Sequence, residues 1–97
     1  MLNVRLILHN IRSVHNVGSI FRTSDAGGVA KIYICGCTPS PDDQPDKISK
    51  TALGAEKWIP WEQHKQTCRL LKKLKDQRIK VIALEQSDKG KNIFEYS

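Results

Sequence analysis

The sequence predicts an α/β protein in which a parallel sheet carries helices on its faces. Short aliphatic runs alternate along the chain with segments of helical periodicity, and polar segments containing Gly and Pro separate them. Such alternation is typical of parallel strands joined by right-handed crossovers. The 97 residues are 39% hydrophobic and 27% charged, as in one globular domain. We therefore predict a single domain over residues 1–97, a three-layer half-domain with four parallel strands.

Four aliphatic runs are the predicted strands. They are Val4–Leu8, Lys31–Cys35, Trp58–Ile59 and Lys80–Leu84. The third can be only a brief strand, because the neighbouring Pro60 has no amide hydrogen to donate. Such a sheet leaves an unpaired edge that another copy of the chain can cover, so we also predict a homodimer.

Three segments have helical character. In the first, Asn16 is the predicted N-cap, apolar residues recur at i, i+3 and i+4, and Gly27 and Gly28 end the helix. A short helical turn is predicted over Asp46–Leu53. The third helix is predicted over Glu62–Gln77. Its apolar positions, at three-residue steps, are Cys68, Leu71 and Leu74.

Basic residues outnumber acidic ones and are concentrated in the third helix. The chain has 16 Lys and Arg against 10 Asp and Glu, a formal charge of +6. Residues 65–80 hold seven basic residues and one acid, and this difference equals the whole excess. A solvated basic face on an amphipathic helix is the simpler interpretation. The alternative is a polyanionic partner, which positive charge favours without identifying it.

Neither a metal site nor a membrane segment is predicted. Cys35, Cys37 and Cys68 form no CxxC pair, and the three histidines are not near them at zinc-ligand spacing. No run approaches the roughly 18 consecutive apolar residues of a membrane helix, and the first residues lack the pattern of a signal peptide. We expect a cytoplasmic protein with reduced thiols and no metal.

The segment with the most chemical content is Asn10–Gly28, NIRSVHNVGSIFRTSDAGG. It follows the first predicted strand, and ligands of open α/β sheets bind beyond the carboxyl ends of strands. Gly18, Arg22 and Asp25 share a helix face that the apolar residues do not occupy. A small residue beside a cation would leave room for a bulky anionic substrate. On spacing alone, however, the favoured explanation is an ion pair between Arg22 and Asp25 on a wet surface, with Asn16 a simple cap.

The same segment resembles a family signature. Its pattern, N-I-R-x-x-x-N-x-G-x-I-x-R-T-x-x-A-x-G, is similar to the first motif of the SpoU/TrmH branch of the SPOUT methyltransferases. Two later stretches agree. Lys47–Glu62 (KISKTALGAEKWIPWE) resembles the family's segment at that register, and Val81–Ser87 (VIALEQS) resembles the strand end that precedes its donor-binding half. The resemblance covers nearly the whole chain.

Members of this family methylate a ribose 2′-hydroxyl of tRNA or rRNA with S-adenosylmethionine, act as homodimers and tie their C-terminal third into a trefoil knot. The resemblance therefore implies an RNA ribose 2′-O-methyltransferase domain. Two further family motifs, a GNE strand end and an SLN segment, belong to that third and do not occur in these 97 residues. We expect an incomplete SpoU-type domain, inactive alone, with most of its S-adenosylmethionine site missing.

The resemblance gives Arg22 the place of the arginine at the reacting hydroxyl, and Asn16 that of the residue that positions it. A guanidinium keeps its proton in almost every protein setting, so we expect Arg22 to stabilise negative charge rather than to abstract a proton. The residues expected to contact RNA are Arg12, His15, Gly18, Lys47 and Lys50. Those expected to touch the methyl donor through main-chain groups are Leu84, Glu85 and Gln86.

Two other interpretations concern the tryptophans and the function as a whole. Trp58 and Trp61 could stack on bases, but the core or a dimer interface is the favoured place for them. The alternative function is a non-catalytic RNA-binding or dimerisation module derived from the same family. A nucleotide-binding domain unrelated to methylation would need a P-loop or GxGxxG, and neither is present.

Overall fold

The computed structural model describes residues 4–87 and 90–96, with the backbone alone described at position 68 and from position 86 onward. Strands and helices follow the alternation that the sequence predicts, with one further short helix and one further strand. In chain order they are β1 (Val4–His9), α1 (Val14–Gly27), β2 (Lys31–Cys35), α2 (Pro45–Ala52), α3 (Ala55–Trp58), β3 (Trp61–His64), α4 (Thr67–Asp76), β4 (Lys80–Ser87) and β5 (Gly90–Tyr96).

The described strands form one sheet with the order β3-β2-β1-β4-β5. The first four strands are parallel, which confirms the predicted parallel sheet. β5 pairs antiparallel with β4, with Ser87 opposite Gly90. This fifth strand was not predicted, because its segment has little aliphatic content and its extended state depends on pairing with β4.

Helices cover both faces of the sheet, so the predicted three layers are confirmed. Successive side chains of a strand point to opposite faces. In β1, Leu6 and Leu8 therefore join the apolar cluster beneath α1, α2 and α3, whereas Ile7 joins the cluster beneath α4. The first cluster is the larger and includes Phe21 of α1, which is fully buried.

The third strand lies later in the chain than predicted. It is Trp61–His64 and not Trp58–Ile59, since pairing with β2 begins immediately after Pro60, whose carbonyl accepts from the Ile32 N–H at 3.0 Å. Trp58 lies in α3 and is 74% exposed, so of the two places predicted for it, the core is wrong and a dimer interface stays a prediction. Trp61 is half-buried against the larger cluster.

The basic helix is shorter than predicted. It begins at Thr67 and not at Glu62, because Glu62 is in β3 and is bonded to Lys31 of β2 (Nζ–Oε1 2.8 Å). Leu70 and Leu74 are its buried residues. The predicted stripe of Cys68, Leu71 and Leu74 is therefore only partly right: Leu71 is half-buried, and the Cys68 side chain lies outside the described residues.

The first helix begins three residues before the predicted position. Ser13 is its N-cap, and its Oγ accepts from the backbone N–H of Asn16 at 3.2 Å, so Asn16 is a first-turn residue and not the cap. Ser, like Asn, is a good N-cap, and pattern alone did not choose between them. The predicted end is confirmed: Gly28 is the C-cap, with the left-handed φ of 75° that favours glycine.

No helix among residues 4–87 and 90–96 is long and apolar enough to cross a membrane.

Candidate functional site

The site begins with a close contact between α1 and α2. Gly18 of α1 is buried, and a Cβ there would collide with Thr51 Oγ1 and lie 2.7 Å from the Ile48 carbonyl oxygen. Thr51 Oγ1 in turn donates to the His15 carbonyl oxygen at 3.2 Å. The predicted open space beside Gly18 is therefore filled by α2. Close helix packing accounts for this glycine, and the structure does not expose it to a substrate.

Beside this contact lies an open cleft of about 490 Å³. Residues of α1 form one wall and residues of α2 the other; they are His15, Ser19, Arg22, Thr23, Ala26, Lys50 and Thr51. Arg22 and Lys50 are both exposed, and among the residues that the structure describes no acid lines the cleft. Two permanent cations without a neutralising acid make it attractive to phosphate groups. We call it the α1–α2 cleft.

Arg22 does not form the ion pair with Asp25 that spacing alone favoured. Within the part of the chain that the structure describes, its guanidinium makes no hydrogen bond or ion pair, with Asp25 or any other residue. All five donors of the planar group therefore remain available to a ligand. The surface pair with Asp25 that spacing alone favoured is therefore wrong, and the role of Arg22 as a binding or catalytic residue stays a prediction.

The remaining predicted contact residues lie on or next to α1 and α2 but do not line the cleft. Asn16 is half-buried in the first turn of α1. Arg12 is exposed just before that helix, and Lys47 is exposed on α2 three residues before Lys50. The structure thus brings Arg22, His15 and Lys50 together and leaves the other three at the periphery. Neither the sequence nor the motif singled out Thr51, because only the packing of α2 onto Gly18 places it in the cleft.

Polar side chains also meet at the carboxyl ends of the central strands. His9 of β1 has Cys35 of β2 beside it in register and Glu85 of β4 on the other side. The His9 ring bonds Thr67 Oγ1 through Nδ1 at 2.8 Å and the Asn10 side chain through Nε2 at 3.2 Å. Burial raises the pKa of the Cys35 thiol, and a hydrogen bond with Thr67 partly opposes this.

The predicted donor residues end β4 at this same edge. Leu84 is half-buried against the larger apolar cluster, and Glu85 is half-buried next to His9. The side chain of Gln86 lies outside the described residues. Among the residues that the structure describes, no three His, Cys, Asp or Glu side chains are arranged to hold a metal ion.

The fold and the cleft define an α/β domain with an anion-attracting site along the helix that follows the first strand. Residues 3–97 match the SpoU rRNA Methylase family, and the chain belongs to this family. A 23S rRNA (guanosine-2′-O-)-methyltransferase RlmB from Neisseria meningitidis serogroup B is 33% identical over 86 residues, which are 84% of this chain and 32% of that protein. The chain spans about a third of the length of the curated relatives it matches.

Solved structures agree on the fold. A TrmH-family protein from Porphyromonas gingivalis is similar over 92% of this chain and 44% of its own, with a TM-score of 0.79 and 19% identity. An rRNA methyltransferase from Sinorhizobium meliloti, solved with AdoMet bound, is similar over 78% of this chain and 27% of its own, with a TM-score of 0.63 and 25% identity. The predicted family and the predicted α/β fold with a parallel sheet are therefore confirmed.

Proposed function

We propose that this chain is the RNA-binding portion of a ribose 2′-O-methyltransferase domain that uses S-adenosylmethionine, acting on tRNA or rRNA. The observation that supports this most strongly is Arg22, which has no partner among the described residues and lies in a cleft that also holds His15 and Lys50. Arg22 and His15 lie within the family's first motif, and Lys50 on the helix packed against it.

In this proposal Arg22 stabilises negative charge on the ribose 2′-oxygen. As the ribose 2′-hydroxyl gives up its proton to solvent, its oxygen gains alkoxide character and becomes a better nucleophile towards a methyl group. A fixed guanidinium beside it stabilises that negative charge by several kcal/mol. Lys50 and His15 hold neighbouring phosphates and so position the nucleotide without reading its sequence. Arg12 and Lys47 add weaker contacts at the periphery of the cleft. Asn16 does not line the cleft, so we propose an indirect role for it, in positioning at the N-terminal turn of α1.

The methyl donor would lie at the carboxyl edge, beyond β4. The residues present fit one side of such a ligand: within the described residues the half-buried Glu85 carboxylate makes no hydrogen bond, so it can accept from hydroxyl or amino groups. The backbone groups of Leu84 and Gln86 would provide further contacts. When bound, S-adenosylmethionine supplies a methyl group activated on a sulfonium. We propose that the GNE and SLN segments are needed to hold it and that the 97 residues alone do not turn over.

Methyl transfer to RNA in a single turnover tests this proposal. The 97-residue chain is compared with a longer protein in which the same residues are followed by the family's GNE and SLN segments. We expect only the longer protein to methylate a ribose 2′-hydroxyl. Arg22→Ala in it should lower the rate roughly 10²- to 10³-fold while donor binding, measured by calorimetry, changes little. Arg22→Lys should restore the rate only in part, because lysine lacks the planar fork.

Two results would contradict the assignment. Near wild-type turnover by the longer Arg22→Ala protein would remove Arg22 from the mechanism. Robust turnover by the 97-residue chain would show that the donor site lies elsewhere. If the chain binds RNA but neither form binds the donor, the second candidate, a non-catalytic RNA-binding module, is favoured; the cleft supports it equally, since its cations need no donor to attract RNA.

We also propose that the protein is a homodimer. In the described sheet β3 pairs with β2 alone and β5 with β4 alone, so both edges are open, and unpaired edges favour association. Trp58 and Leu53 are exposed by 74% and 62%, which leaves Trp58 free for an interface or for base stacking. Sedimentation of wild type and Trp58→Ser checks this. A wild type that stays monomeric at high concentration would contradict the dimer.

A further inference from the structure

A second basic groove lies on the other face of the sheet. It has a volume of about 380 Å³ and is formed where β3 ends and α4 begins. The residues that line it are His64, Lys65, Gln66, Arg69, Leu70 and Lys73. None of them belongs to the family's first motif or to the α1–α2 cleft. We call it the α4 groove.

The charge of the groove is not neutralised by its surroundings. Lys65, Arg69 and Lys73 are exposed, and none makes an ion pair within the described part of the chain. Glu62, the acidic residue of the neighbouring strand β3, bonds Lys31 Nζ at 2.8 Å and His64 Nε2 at 3.0 Å. These contacts hold the pKa of Glu62 at about 2, so it is ionised and already paired.

Helix geometry separates the groove residues from the other cations of α4. At 100° per residue, Arg69 and Lys73 lie on one flank of the buried pair Leu70 and Leu74. Lys75 lies on the opposite flank, Lys72 points away from the sheet, and neither of them lines the groove. The amides of the first turn add to the groove, because the N-cap Gln66 makes no side-chain hydrogen bond to them and that turn holds no acid. The basic residues of α4 are therefore not a uniform solvated face.

We propose that the α4 groove is a second RNA-contact surface, which binds the phosphate backbone independently of the α1–α2 cleft. Arg69 presents a planar fork that suits a phosphate, and Lys65 and Lys73 supply point charges on either side of it. The choice of RNA among polyanions rests on the proposed function. Such contacts fix the path of the RNA over the protein and carry no base specificity.

Binding of the 97-residue chain to a labelled single-stranded RNA of mixed sequence, about 20 nucleotides long, tests this across a salt series. Arg69→Glu with Lys73→Glu should weaken binding roughly tenfold and lower the slope of log affinity against log salt by about 1.4, since two phosphate contacts are lost. The matched control is Lys72→Glu with Lys75→Glu, which makes the same charge change on the same helix outside the groove. It should weaken binding by less than about threefold and leave the slope nearly unchanged.

Equal losses in the two double variants would overturn the proposal, because diffuse charge would then explain binding. Competition by polyglutamate as strong as that by unlabelled RNA of equal charge would also overturn it, since phosphate would not be preferred. Arg22→Ala with Lys50→Ala separates the two sites. If this variant binds RNA normally while Arg69→Glu with Lys73→Glu does not, the α4 groove is an RNA contact and the α1–α2 cleft is not. The reverse result supports the cleft and contradicts the groove.

Discussion

The two faces of the sheet differ in how their helices are held. Beneath α1, α2 and α3 the apolar cluster extends across four strands, from Trp61 of β3 to Ile82 of β4, and the helices approach closely at Gly18. Beneath α4 the cluster is smaller, and charged residues of β1 to β3 adjoin it, with Arg5 donating to the Tyr33 hydroxyl at 2.6 Å. On the face that carries the motif, Arg22 and Lys50 make no ion pair among the described residues. On the other face, Arg5, Lys31 and Glu62 bond neighbouring side chains across the strands.

The largest expected effect concerns the cores of the two faces. Phe21→Ala should reduce the free energy of unfolding by about 4 kcal/mol, because it removes a fully buried ring from the larger cluster. Leu74→Ala should cost about 2 to 3 kcal/mol, since the smaller cluster can collapse onto the cavity. Urea denaturation measures both. A Leu74→Ala protein less stable than Phe21→Ala would contradict the ranking of the two faces.

Glycine substitutions within α1 should separate packing from helix propensity. Gly18→Ala should destabilise the protein by about 2 kcal/mol, because the new methyl group meets Thr51 and the Ile48 carbonyl. Gly27→Ala is the matched control, with nothing within 4 Å of the added Cβ. It should be neutral or stabilising by up to about 1 kcal/mol. If both substitutions had the same effect, the close approach of α2 would not be what keeps residue 18 small.

The smallest expected effect is the pH dependence of the charged face. The pKa of Glu62 is lowered to about 2, first by its hydrogen bond with Lys31 and then by that with His64, from an ordinary value of 4.5. A lowered folded-state pKa gives stability that is present above pH 4.5 and lost as pH falls towards 2. Because Glu62 is largely exposed, we expect the loss to stay below about 1 kcal/mol. The free energies of unfolding of wild type and Glu62→Gln between pH 6 and pH 2 measure this loss. If the difference between the two proteins did not change with pH, the contribution of Glu62 would be refuted.

The sequence predicted the parallel strands and the family better than the details that depend on packing. Aliphatic runs placed β1, β2 and β4, since such strands are buried on both faces. The position of β3 was wrong because Trp61 to His64 are polar on average and extended only through pairing with β2. The motif singled out Arg22, but residue patterns could not reveal that Gly18 receives α2, or that the end of β3 meets the start of α4 to form a groove.

The central claim is that the α1–α2 cleft binds RNA, and two lysines of α2 test it most directly. Lys47 and Lys50 are both exposed and three residues apart, but only Lys50 lines the cleft. In a titration of tRNA with the 97-residue chain, we expect Lys50→Glu to weaken binding roughly tenfold and to lower the slope of log affinity against log salt by the amount of about one phosphate contact. Lys47→Glu should weaken binding less than about threefold. Equal affinities for wild type and Lys50→Glu across the salt series would contradict the claim.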